Sequence, residues 1–187
     1  MMLSDIDIEA AMQAGQLVIS PYFQRSLEAA GVTLHLGYDI LKPLAGKTVD
    51  VKHKILPDYQ PITMADDKPY CLMPQEFVLG HTYENITVGN QLGFFIEGRS
   101  TLARLGLTVV KTAMLVQPGH CNRTVTLELA NHGPNPLLLY PKMKIAKAAL
   151  FQLNSATSRA YDANNGKYRT QSTVGKPVFT KEFLEEE

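Results

Sequence analysis

From Leu17 onward the apolar residues fall in short β-branched or aliphatic runs cut by Pro, Gly and polar clusters. The runs are Leu17-Val18-Ile19, Val32 to Leu36, Phe77-Val78-Leu79, Glu84 to Val88, Gly93 to Ile96, Thr108-Val109-Val110, Thr124 to Leu129, Leu137-Leu138-Leu139 and Ala148 to Leu153. So many short strands with so little helical periodicity predict an all-β barrel or sandwich. One helix precedes them. Ser4-Asp5-Ile6-Asp7 offers a hydroxyl cap and first-turn acids, Ile6, Ile8, Ala11 and Met12 form an approximate apolar face, and Gly15 ends it. Pro43 to Pro74, rich in Pro, Asp and Lys, reads as a long surface excursion. After Leu153 the apolar signal fades into a polar segment containing Gly166, Lys167, Tyr168 and Arg169, either a disordered terminus or a lid that closes over an anion. No repeat or composition break marks a second domain, so the expected organisation is a barrel with its N-terminal helix over 1–153 and a tail over 154–187.

Composition narrows the function. The 187 residues suffice for one domain with a proper core. Eighteen basic and eighteen acidic residues are mixed throughout, for a formal net charge of zero. Polymeric nucleic acid is therefore not the expected partner, since its binders carry a basic stripe; a small nucleotide stays open. Two cysteines, Cys71 and Cys121, fit a reducing compartment. With no apolar run of membrane-spanning length and no signal-peptide pattern at the start, the chain reads as cytoplasmic, with no membrane partner. There is no phosphate-binding P-loop, no dinucleotide-binding Gly-x-Gly-x-x-Gly turn, and no His-x-Glu with Pro-Cys-x-x-Cys of the zinc nucleobase deaminases. The five histidines lack metal-ligand spacing, and the adjacent His120 and Cys121 would point to opposite faces of a strand.

Two stretches carry candidate chemistry. In Glu97-Gly-Arg-Ser-Thr-Leu-Ala-Arg-Leu-Gly-Leu107 a helical turn opened by Ser100 puts Ser100 and Arg104 on one face, with Gly106 to end it. Two guanidinium groups, a hydroxyl and a helix start suit a multiply charged oxyanion, although a solvated helix end has the same composition. In the second stretch, Glu128 shares a strand face with Thr124, Thr126 and Ala130, while Val125, Leu127 and Leu129 take the other. That face either meets solvent or lines a pocket in which the carboxylate acts as general base on water.

These motifs, with Gln117-Pro-Gly119, Thr126-Leu-Glu-Leu-Ala-Asn131, Gly166-Lys-Tyr-Arg-Thr-Gln171 and the opening Met2-Leu-Ser-Asp-Ile-Asp-Ile8, together resemble the dCTP deaminase family of the dUTPase-like superfamily. The resemblance implies a distorted jelly-roll β-barrel assembled as a homotrimer, with active sites at subunit interfaces. It implies zinc-independent deamination of dCTP to dUTP and ammonia, with Mg2+ bound through the triphosphate and dTTP as a candidate inhibitor. By that match Glu128 is the catalytic glutamate, attended by Ser100 and Arg104. Arg99, Ser100, Tyr161, Lys167 and Gln171 would hold the triphosphate, and the backbone of Lys111-Thr112-Ala113 would read the pyrimidine edge. No metal ligand is expected from protein side chains.

The departures are informative too. Gln117 stands where the family usually has an aspartate beside the deoxyribose; it can hydrogen-bond a 3′-hydroxyl but cannot be a base, which weighs against dUTP hydrolysis. Thr33 and His35 replace charged members of an early segment, and Lys142 and Ala146 stand where glycines are common. The alternatives are a dUTP diphosphatase, alone or combined with deamination, and a nucleotide-binding relative without turnover.

Overall fold

The computed structural model describes residues 1–164, 166–179 and 182. Helix α1 (Asp5–Gln13) starts on a reciprocal cap: the Asp7 amide donates to Ser4 Oγ at 3.3 Å and the Ser4 amide to Asp7 Oδ2 at 3.1 Å. Of its expected apolar face, Ile8 is buried and Ala11 and Met12 pack against the core, whereas Ile6 faces solvent.

Among the described residues fourteen strands follow: β1 (Leu17–Ser20), β2 (Leu27–Glu28), β3 (Gly31–His35), β4 (Asp39–Pro43), β5 (Tyr59–Thr63), β6 (Tyr70–Leu72) and β7 (Phe77–His81) in the first half. The second half holds β8 (Asn85–Val88), β9 (Leu92–Gly98), β10 (Leu107–Thr108), β11 (Leu115–Val116), β12 (Thr126–Asn131), β13 (Leu137–Leu139) and β14 (Lys144–Gln152), with the single-turn helix α2 (Ser100–Ala103) between β9 and β10. Two five-stranded antiparallel sheets dominate, ordered β10-β12-β7-β4-β5 and β11-β9-β14-β3-β2, with two-stranded ribbons β1-β8 and β13-β6. Every strand predicted from an apolar run is present, in the jelly-roll-like, all-β arrangement expected.

Inward residues of both sheets join one core: Val32 and Leu34 of β3, Phe94 and Ile96 of β9, Leu127 and Leu129 of β12, Leu150 of β14. Leu127 and Leu129 have no exposed surface, and burying each contributes roughly 1.5–3 kcal/mol. Their alternation leaves Thr126 and Glu128 on the opposite face, which lines a cavity.

The stretch from Pro43 to Pro74, expected to be irregular, contains β5 and β6. β5 pairs with β4 along its whole length, from Asp39↔Thr63 to Pro43↔Tyr59, and β6 pairs with β13. β5 is an edge strand, which tolerates Pro61 because one side of its ladder needs no donor; the pairing comes from partners distant in sequence. Lys142 adopts a left-handed backbone, φ 61°, which explains why glycine would suit that place, and its Nζ lies 5.4 Å and 5.9 Å from the Tyr38 and Tyr83 ring centres. No helix among the described residues is long and apolar enough to cross a membrane.

Candidate functional site

Glu128 is held at both ends. Its amide donates to the Val109 carbonyl at 3.0 Å, and its Oε2 accepts from the Lys111 amide at 2.7 Å, so the segment leaving β10 fixes backbone and carboxylate together. On the other side it pairs with Leu79 of β7. Oε1 makes no hydrogen bond among the described residues. The half-buried carboxylate opens into a cavity of about 340 Å3, and Ala113, Gln117, Tyr161 and Gln171 line the same space.

The tail closes one side of this cavity rather than extending away. The Tyr161 amide donates to the Pro118 carbonyl at 2.9 Å, and Gln171 Nε2 donates to Thr126 Oγ1 at 2.7 Å, next to Glu128 on the same strand face. Gly119 permits the approach. It has φ 82°, and a Cβ there would sit 2.7 Å from the Ala160 Cβ, so a larger residue would push the tail off. Residues 165, 180, 181 and 183–187 of the expected tail lie outside the described residues.

A charged cluster at the cavity wall carries no sequence signal. Arg123 is 6% exposed, and its guanidinium forks onto Asp162 at 2.6 and 2.7 Å. The same group donates to the Arg169 carbonyl at 3.1 Å and lies 3.2 Å from His120 Nδ1. Burial, with the Arg123 cation beside it, lowers the His120 pKa, so the ring is neutral and can accept from Arg123. The pair joins residues thirty-nine apart, which no periodicity or short motif reveals.

The other expected site residues lie elsewhere within one chain. α2 begins at Ser100 as expected, but Arg99 is the cap and no side chain caps the turn; Gly106, φ 93°, follows it. Arg99 turns back to the sheet that β9 belongs to, where Nη1 donates to Thr33 Oγ1 at 2.7 Å and to Glu28 Oε1 at 3.1 Å. Lys147 and Thr33 also bind Glu28, and this company, Lys147 foremost, pushes its pKa down to about 2. Ser100 and Arg104 are exposed and outside the cavity. Thr112 is exposed, and Lys167, beyond the cavity lining, pairs with Glu182.

The chain is similar to known proteins in both sequence and fold. A chain from Nocardioides sp. named "dCTP deaminase, dUMP-forming" is 35% identical over 185 residues, covering 94% of this chain and 92% of its own length. One from Dictyoglomus thermophilum with the same name is 36% identical over 180 residues, 91% of each chain. The crystal structure of 2′-deoxycytidine 5′-triphosphate deaminase from Agrobacterium tumefaciens shares the fold at TM-score 0.60 and 13% identity, over 80% of this chain and 46% of that one. The family model described as dCTP deaminase-like matches residues 2–153, the helix and every strand of both sheets; the chain belongs to the dCTP deaminase-like family.

Proposed function

We propose that the chain deaminates dCTP, with Glu128 as the proton carrier. The observation that carries this reading is the Glu128 carboxylate at a cavity wall, one oxygen fixed by the Lys111 amide and the other open to a ligand. Water adds to C4 of cytosine as Glu128 takes its proton; the proton passes to N3, and a further transfer through Glu128 lets ammonia leave and the C4 carbonyl form. Water plus dCTP gives dUTP plus ammonia, with no zinc required. The cavity admits a pyrimidine beside Ala113 and a deoxyribose beside Gln117, and Tyr161 and Gln171 close over the phosphates. Lys167, on the same tail, reaches the triphosphate once it leaves Glu182.

Ser100 and Arg104 are exposed and make no side-chain hydrogen bond or ion pair among the described residues. We read α2 as the part each chain lends to a neighbour's cavity in a homotrimer, Arg104 keeping the neighbouring Glu128 ionised and Arg99 and Ser100 meeting phosphate. Among the described residues no three His, Cys, Asp or Glu side chains converge as a metal site. Mg2+ would take phosphate oxygens of the nucleotide as donors, the hard ligands it favours, and would neutralise triphosphate charge there.

A second reading is favoured by the relatives' printed name, dUMP-forming: the same site would also release pyrophosphate. Gln117 weighs against it, since an amide cannot deprotonate a second water. Separating the nucleotide products of dCTP turnover tests both. dUTP as the end product supports deamination alone, dUMP with pyrophosphate supports the second reading, and no uracil nucleotide refutes both.

A further inference from the structure

We propose that Arg123 is a positioning residue: its ion pair with Asp162 latches the C-terminal segment across the cavity. Arg123 belongs to the barrel, because its carbonyl accepts from the Ile86 amide at 2.8 Å. Its guanidinium belongs to the tail. Two parallel bonds reach Asp162, a third reaches the Arg169 carbonyl, and the Tyr161 ring centre lies 5.8 Å from its central carbon. Such a planar fork fixes orientation as well as distance.

What the latch holds is the part of the tail that lines the cavity. The Gly166 amide donates to the Tyr161 carbonyl at 2.9 Å, the Tyr168 amide to Tyr161 Oη at 3.1 Å, and the Gln171 amide to the Tyr168 carbonyl at 3.0 Å. Asp162 sits at the start of this linked unit and Arg169 near its end, so one buried cation grips both sides of it. Losing Asp162 leaves that cation uncompensated, which favours a tail lifted off the wall. A lid closed only a fraction of the time weakens apparent ligand affinity by that fraction.

The inference rests on the cavity being the dCTP site, and the test separates the two claims. In the full-length chain without nucleotide, Asp162→Asn should lower hydrogen-exchange protection of the amides of Tyr161, Gly166 and Gln171 about tenfold or more, with β9, β12 and β14 unchanged. With dCTP the same variant should raise KM about tenfold while kcat stays within about twofold, the signature of a shifted lid population. Arg123→Lys should act in the same direction. The double variant should raise KM far less than the product of the single effects. Wild-type tail protection and wild-type KM in Asp162→Asn would overturn the latch, as would loss of protection spread through the barrel. A wild-type chain without dCTP turnover would overturn the functional reading, and the exchange measurement alone would then decide the latch.

Discussion

Glu28→Gln removes a carboxylate that accepts from Lys147, Thr33 and Arg99 together while keeping the side chain's shape. The partners hold its pKa at about 2, against an ordinary 4.5. At about 1.4 kcal/mol per pH unit, the gap corresponds to roughly 3 kcal/mol of stabilisation of the charged form. Glu28 is 33% exposed along its side chain, so solvent screening reduces this to about 1–2 kcal/mol. In a domain of this size that is a fall in Tm of roughly 3–6 °C at pH 7. Because the folded pKa is depressed, the stabilisation is complete above pH 4.5 and is lost as the pH falls through about 2. Calorimetric melting of both proteins from pH 7 down to pH 3 should show a gap that is constant at first and then narrows. A gap absent at pH 7, or one that widens in acid, would refute the reasoning.

Two further outcomes follow from the same physics. His81 and His120 both have pKa values lowered chiefly by burial, so each is neutral in the folded chain while the unfolded chain protonates near 6.5. Stability should therefore fall as the pH drops below about 6.5, and His81→Gln should flatten that slope in urea titrations at pH 5.5 and 7.5; an unchanged slope would remove His81 as its source. Second, if α2 serves a neighbouring chain, Glu128→Gln and Arg104→Ala should each be inactive alone. Refolded together in equal amounts they should recover about a quarter of wild-type turnover, because random assembly completes that share of interface sites. No recovery would put Arg104 and Glu128 of one site on one chain.

The fold was legible where the sequence repeats a simple physical pattern. Alternation places Leu127 and Leu129 inward and Glu128 outward without reference to any partner, and short aliphatic runs mark the nine strands they predict. It was illegible where structure is borrowed: β5 and β6 exist because β4 and β13 supply ladders to polar, Pro-bearing segments. Arg123 and Asp162 were illegible for the same reason, since a contact between a residue bridged to β8 and a distant tail leaves no spacing to read. The resemblance, in contrast, named residues by type without saying which chain they act from, and within one chain Arg99 binds Glu28 rather than the cavity. The altered early segment also has a physical account. Thr33 joins the Arg99 and Glu28 cluster, and His35 Nδ1 lies 2.5 Å from the buried Glu84, so carboxylates from β2 and from the bend between β7 and β8 serve that region.

Ammonia release from dCTP by the wild-type chain and by Glu128→Gln tests the central claim most directly, with calorimetric dCTP binding measured on both. Loss of turnover by about a hundredfold or more in the Gln variant, with dCTP still bound, is the result expected of a lost general base. Equal ammonia release by the two proteins would contradict it.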